Sequence, residues 1–239
     1  MVVARKGRGR LESPSVTKRA LALVLLAPLS AWGADAPAGG RIVDEVVAVV
    51  ASRGREARVV TRTKVAEEGR IALVSRGGIE AAFAPLDGAV LRASLDWFVD
   101  QLLLHEEAVR LQVFEVDRDS AVAELKRFKA EFATSKDFKA FLHEIDATEE
   151  ELTATLRRNL RVRRYLESRL GRLRPTSREV EAWYEAHAAD YGGRPLAQVT
   201  DEITARLTAA RADAETKALL RDLRGRADIR ILVDLGAEP

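Results

Sequence analysis

The chain has 239 residues, of which 47% are hydrophobic, 32% charged and 5% aromatic, and its formal net charge is +2. This balance is typical of a folded, helix-rich protein and argues against a disordered chain. The sequence contains no cysteine, which excludes disulfide bonds and thiolate metal sites.

The first 33 residues have the pattern of a secretory signal peptide. A basic stretch precedes the apolar run ALALVLLAPLSA, and the small residues of AWGADA follow it. About a dozen apolar residues are too few to span a bilayer, so we expect cleavage after Gly33, a periplasmic protein and no stable membrane anchor. The alternatives are an uncleaved anchor and a fortuitous apolar run. Residues 34–41 are interpreted as a linker.

The basic leader also explains the apparent basicity of the whole chain. Residues 1–33 hold six of the 39 basic residues and one of the 37 acidic residues, which leaves 33 basic against 36 acidic side chains. The chain after cleavage therefore has a net charge of −3. The whole-chain pI consequently gives no support for a nucleic-acid partner.

Short β-branched segments lie near both ends of the mature chain. Residues 42–50 and the RVV that follows the loop ASRGREA predict a hairpin, and the alternation in ADIRILV predicts a C-terminal strand. A lone hairpin is marginal in water and a lone strand has nothing to pair with. We therefore expect the hairpin and the C-terminal strand to form one small sheet on a helical body.

Between these strands the spacing of apolar residues predicts six or so helices, and so a mainly α fold. The clearest stripe is Leu91, Leu95, Phe98 and Leu102, and the last helix, from about residue 195 to 224, shows Val199, Ile203, Leu207, Ala210 and Ala214. Another helix is expected to run through Tyr191, with His187 as a packed core histidine. Side chains able to cap helix starts are Thr61, Asp117, Ser135, Thr148 and either Thr176 or Ser177.

The order of these elements resembles the SurA family, periplasmic chaperones that often carry parvulin-type peptidyl-prolyl isomerase domains. VDEVVAVV is similar to the family's opening strand, VVTRTKV to the start of its first helix, and TEEELTATLRRNLRVRRYLESRL and PTSREVEAWYEAH to two later helices. ITARLTAARADAETKALLRDLRGRADIRI is similar to the closing helix and strand. The resemblance implies a SurA-like chaperone domain over 42–239, built from 42–191 and 195–235.

The main departure from the family is the short stretch YGGRPL at 191–196. In isomerase-bearing relatives a parvulin domain stands at this point of the chain. The three histidines, at positions 105, 143 and 187, all lie in helical patterns, and no metal-binding or phosphate-binding motif occurs. We therefore expect no isomerase activity, no catalytic residues, no metal site and no cofactor.

The resemblance implies a non-catalytic chaperone that binds unfolded or extended exported polypeptides, including outer-membrane proteins, between the helical body and the sheet. Aromatic placement gives the candidate client contacts Phe83, Trp97, Phe128, Phe132, Phe138, Phe141, Trp183 and Tyr184. For the four phenylalanines from 128 to 141, helical spacing favours a core role over client contact.

Two other functions stay open at this stage. One is a peptidyl-prolyl isomerase with a degenerate site, or an accessory subunit of such an enzyme. The other is an adaptor for one specific envelope partner. The run RRNLRVRR at 157–164 is most simply a solvated face paired with acids, and the alternative is contact with anionic lipid or an acidic partner.

Overall fold

A computed structural model describes residues 44–52 and 54–236 of the chain. The predicted signal peptide, the linker and the first two residues of the predicted opening strand therefore lie outside the described residues. Within the described residues, no helix is both long enough and apolar enough to cross a membrane.

One antiparallel sheet joins the two ends of the described chain. Strands β1 (Val46–Ser52), β2 (Arg58–Thr61) and β3 (Ala227–Ile231) lie in the order β2-β1-β3. Ala48 of β1 faces Val60 on one side and Ile231 on the other. The predicted pairing of the hairpin with the C-terminal strand is confirmed.

The helical body lies between β2 and β3 in sequence. Its elements are α1 (Arg62–Ser75), α2 (Ile79–Phe83), α3 (Gly88–Arg110), α4 (Arg118–Ala130), α5 (Ser135–Glu144), α6 (Glu149–Leu170), α7 (Ser177–His187), a 3-10 helix (Ala188–Tyr191) and α8 (Leu196–Arg226). The described residues thus hold eight α-helices instead of the expected six or so. The short α2 spans five residues, too few to show a helical period.

The helix starts follow the capping chemistry read from the sequence, with one shift. Asp117 accepts a hydrogen bond from the Ser120 backbone N–H, and Thr148 forms a reciprocal capping box with Glu151. The fifth helix is capped by Thr134, not by the predicted Ser135, because Thr134 forms the box with Asp137.

The main core lies between the sheet, α3 and the C-terminal half of α8. It includes the predicted α3 stripe together with Val47, Val50, Leu219 and Leu223. A second core between α1, α4, α5 and α6 contains the phenylalanines of the 128–141 region. Ile71 and Leu152 close this second core from α1 and α6.

α7 and the first half of α8 form a helical hairpin, here called the arm, with a small core of its own. Val180, Tyr191, Val199 and Ile203 are its buried residues. The expected helix through Tyr191 ends earlier, at His187, and a 3-10 turn follows. His187 itself is half-buried, with its ring stacked on Trp183 at a centroid distance of 3.9 Å.

The stretch that departed from the SurA pattern is a tight turn at the tip of the arm. Gly192 and Gly193 have φ of 60° and 76°, values in the left-handed region that glycine adopts without steric cost. The predicted apolar stripe of α8 is wrong in its second half, since Ala210 and Ala214 are exposed. The buried face of α8 changes along its length because the helix packs first on α7 and then on α3 and the sheet.

Candidate functional site

The structure buries four of the eight aromatic side chains that the sequence offered for client contact. Phe132, Phe138 and Phe141 are at most 7% exposed and form a cluster with Phe128, in which the ring contacts have centroid distances of 5.3–5.8 Å. They are core residues, as their helical spacing favoured, and their rings present no surface to a client. Phe83 is 40% exposed, but its ring packs edge-on against Phe141.

The two aromatic candidates on α7 hold the tip of the arm. The Tyr184 hydroxyl donates to the Arg194 backbone carbonyl at 2.7 Å. The Trp183 indole N–H donates to the Tyr191 hydroxyl at 3.2 Å, and the Arg206 guanidinium lies over the indole ring. Through these contacts both residues stabilise the turn at the tip of the arm.

Trp97 is the predicted residue that lines an open groove. Half-buried on α3, it borders two neighbouring cavities of about 460 and about 160 Å³, which also share Ala72 and Arg76 of α1. We call their combined space the Trp97 groove. Phe128, although buried, forms part of its wall from α4. The structure thus brings two of the eight predicted residues together at one surface.

Apolar side chains from four helices form the floor of the Trp97 groove. They are Ala72 and Leu73 of α1, Val90, Ala93 and Trp97 of α3, Phe128 of α4 and Leu156 of α6. Burial of such surface by a ligand contributes about 25 cal/mol per Å² of apolar area. The groove can therefore bind apolar side chains of an extended chain.

Charged residues form one rim of the same groove. Both nitrogens at the end of Arg163 donate to the two Glu124 oxygens at 2.9 Å, and this hydrogen bonding raises the pKa of Arg163. Arg127 also pairs with Glu124, at 3.0 Å. A bidentate arginine–carboxylate pair has a fixed geometry, so this rim is held in place across α4 and α6.

Asn159 adds a polar group that lacks a partner. Its Oδ1 is buried and has no hydrogen-bond partner among the described residues, and Asn159 lines the groove from α6. An unpaired buried amide oxygen costs free energy. Because this oxygen has no exposed surface, a ligand in the groove does not reach it in this structure.

A close helix crossing lies at one end of the groove. A Cβ added at Gly69 of α1 would lie 2.5 Å from Oγ of Ser94 on α3. Only glycine therefore allows this approach of α1 to α3. Both residues also line the smaller of the two cavities.

The expected groove between the sheet and the helical body is not what the structure shows. The inner face of the sheet is covered by core side chains, including Ala48, Val50 and Val60. A pocket of only about 230 Å³ lies beside Ser52 and Ala227, with a charged rim that includes Arg110 and Arg226. The Trp97 groove, which is larger than this pocket, lies between helices.

Sequence reasoning missed most of the residues that line the Trp97 groove. Ala72, Leu73 and Ala93 carry no chemical signal, and Asn159 stands inside the basic run that reads as a solvated face. The only hint was the helical period, which places Ala93 and Trp97 one turn apart on α3.

Comparison with known proteins adds no family and no relative: no family model matches the chain, and no curated protein matches it. In the described residues, no group of three or more His, Cys, Asp or Glu side chains is placed to hold a metal ion. What the Trp97 groove offers chemically is apolar contact and a fixed charged rim.

Proposed function

We propose that the protein is a non-catalytic periplasmic chaperone that binds unfolded exported polypeptides, including outer-membrane proteins. The observation that supports this proposal is the Trp97 groove, which combines an apolar floor with a charged rim fixed by the Arg163–Glu124 pair. An extended, aromatic-rich client could bury apolar side chains there. Such binding is reversible and needs no nucleotide.

The SurA-like order of elements is the second support for this proposal. In isomerase-bearing members of the SurA family the parvulin domain stands at the point that would correspond to the turn at Gly192 and Gly193. We propose that this turn marks the position from which a parvulin domain is missing. The arm would then correspond to the helices that flank the domain in the family. A holding chaperone without an isomerase domain is the function that follows.

The test is suppression of aggregation by the purified protein. An unfolded outer-membrane β-barrel protein is diluted out of denaturant with increasing amounts of the protein, and light scattering is followed. The groove variant is Ala93→Glu, which places a charge on the apolar floor without removing a core side chain, since Ala93 is exposed. The matched control is Ala140→Glu on α5, also exposed and absent from the groove lining.

We expect the wild-type protein and Ala140→Glu to suppress scattering equally, and Ala93→Glu to suppress it less. A proline-isomerisation assay on the same sample distinguishes an isomerase from a non-catalytic chaperone. Measurable isomerase activity would contradict the non-catalytic role. No suppression by the wild-type protein would reject the chaperone proposal and favour an adaptor with one dedicated partner.

A further inference from the structure

A second groove, of about 700 Å³, lies on another side of α6. Its walls are His105 near the end of α3, the segment before α4, the first turns of α4, and the outer face of α6. It shares no lining residue with the Trp97 groove. We call it the basic groove because Arg118, Arg157, Arg158 and Arg161 all line it, against two glutamates, Glu115 and Glu150.

Most of this positive charge has no carboxylate beside it. Arg157 Nε donates to the Val116 carbonyl at 2.8 Å, and Arg161 Nε donates to the Val113 carbonyl at 2.9 Å. A backbone carbonyl is neutral, so these hydrogen bonds orient the guanidinium groups without cancelling their charge. Of the four arginines, only Arg158 has a carboxylate within 4.0 Å among the described residues, namely that of Glu68.

His105 responds to this environment. Burial lowers its pKa, and the positive charges of Arg158, Arg161, Arg58 and Arg55 lower it further, to about 4. The imidazole is therefore neutral at physiological pH and adds no positive charge. Arg55 and Arg58 belong to the hairpin, whereas Arg158 and Arg161 belong to α6. The positive potential at His105 therefore comes from two different parts of the fold.

The basic groove also has an apolar part. Val116, Ala121 and Val122 line it, and Val122 is 56% exposed, among the most exposed large apolar side chains of the described residues. A ligand that fits must therefore carry negative charge next to apolar groups. Carboxylates match the planar fork of arginine, which can donate two parallel hydrogen bonds to them.

We infer that the basic groove binds an acidic segment of another polypeptide, with its carboxylates on Arg118, Arg157 and Arg161 and its apolar side chains over Val122. Charge complementarity carries this assignment, since cations that form no ion pair with a neighbouring carboxylate attract anions and steer their approach. The site is independent of the Trp97 groove and of the chaperone proposal.

The experiment measures binding of a labelled peptide to the full chain by fluorescence anisotropy. The peptide alternates glutamate with leucine and serine, and its matched control carries glutamine at every glutamate position. The protein variants are Arg118→Gln and Arg118→Glu, because Arg118 is exposed and forms no ion pair among the described residues. Arg178→Gln on α7 is the control, with the same change of charge at an exposed site outside the groove.

We expect the acidic peptide to bind wild-type protein, and more weakly at high salt because exposed charges are screened. Arg118→Gln should weaken binding by about two- to fivefold, the range of one exposed ion pair. Arg118→Glu should weaken it more, and Arg178→Gln should leave it unchanged. Ala93→Glu should also leave it unchanged, so failure of this inference and failure of the chaperone proposal are separable.

Three results would overturn the inference. The glutamine peptide could bind as tightly as the glutamate peptide, which would remove the role of charge. Arg118→Glu could bind as tightly as wild-type protein, which would place the peptide elsewhere. Vesicles of anionic phospholipid could bind in an Arg118-dependent manner while the acidic peptide does not, which would assign the groove to lipid headgroups.

Discussion

Glu68 and Arg158 form a buried ion pair that joins α1 to α6. Arg158 Nη2 lies 2.6 Å from Glu68 Oε1 and also contacts Oε2, and the Glu68 side chain is fully buried. Lys64 Nζ lies 3.0 Å from the same carboxylate. A carboxylate taken out of water requires such partners, and this pair supplies them across α1 and α6.

Glu68→Ala should destabilise the protein strongly. Removing the carboxylate leaves the part-buried Arg158 charge without its partner, and breaking a buried pair in this way costs about 3–5 kcal/mol. Urea unfolding measures the loss. The control is Glu202→Ala, which removes one partner of the exposed Arg194–Glu202 pair and should cost about 0–1 kcal/mol. Equal losses in the two variants would contradict the role assigned to Glu68.

Gly69→Ala should also destabilise the protein, because its new Cβ would overlap Ser94 at the crossing of α1 and α3. Overpacking of this kind costs about 1–3 kcal/mol. Adding Ser94→Gly should relieve the overlap and recover part of the loss. Gly225→Ala, where nothing lies within 4 Å, is the control, and it should be neutral or stabilising by up to about 1 kcal/mol.

Deleting residues 227–239 should destabilise the whole domain, because it removes β3 from the sheet and the buried Leu235 from the core. β1 would then have only the short β2 as a neighbour, and two-stranded hairpins are marginal. Thermal unfolding measures the effect, with a chain that ends at Gly236 as the control. An unchanged unfolding temperature in the longer deletion would show that β3 is dispensable.

Acid should weaken the fold through His105. Its pKa in the folded protein is about 4, below the ordinary 6.5, so the unfolded chain binds a proton that the folded chain does not. The free energy of unfolding should therefore fall as the pH drops from about 6.5 towards about 4.

Urea unfolding is compared at about pH 7 and about pH 5, because carboxylates whose pKa is lowered in the folded protein lose their contribution only at lower pH. Glu179 is one of these, since Arg211 and the Thr176 cap lower its pKa to about 2. Burial raises the pKa of Glu67, which acts in the opposite direction, so the comparison between variants carries the test. His105→Gln should lose less stability between the two pH values than the wild-type protein. His143→Gln, at an exposed position on α5, should behave as the wild-type protein does.

Local patterns in the sequence were enough to predict the architecture. Thr61, Asp117 and Thr148 start helices because their side chains bond backbone N–H groups only three residues ahead. The sheet followed from the need of β1 and β3 for partners. The helix starts depend on chemistry within one element. The sheet was inferred because the hairpin and the C-terminal strand had no other predicted strand to pair with.

The groove and the buried ion pair could not be predicted in the same way. Glu68 reads as an ordinary helix-surface acid, because nothing in α1 shows that Arg158 lies opposite it. Trp97 was selected as an aromatic residue, but its exposure depends on how closely α1 and α3 approach at Gly69 and Ser94. The phenylalanines between 128 and 141 show the reverse case, where the helical period indicated burial correctly.

The pairing of Ala48 with Ile231 has a consequence for when the protein can fold. β1 is synthesised before the helical body and β3 after it, so the central strand of the sheet stays half-paired until all the helices between them have been made. Pairings this distant in sequence form slowly because a long loop must close first. If the chain crosses a membrane N-terminus first, β1 and β3 can pair only after both strands have crossed. The core that packs α3 and α8 against the sheet is completed only at that point.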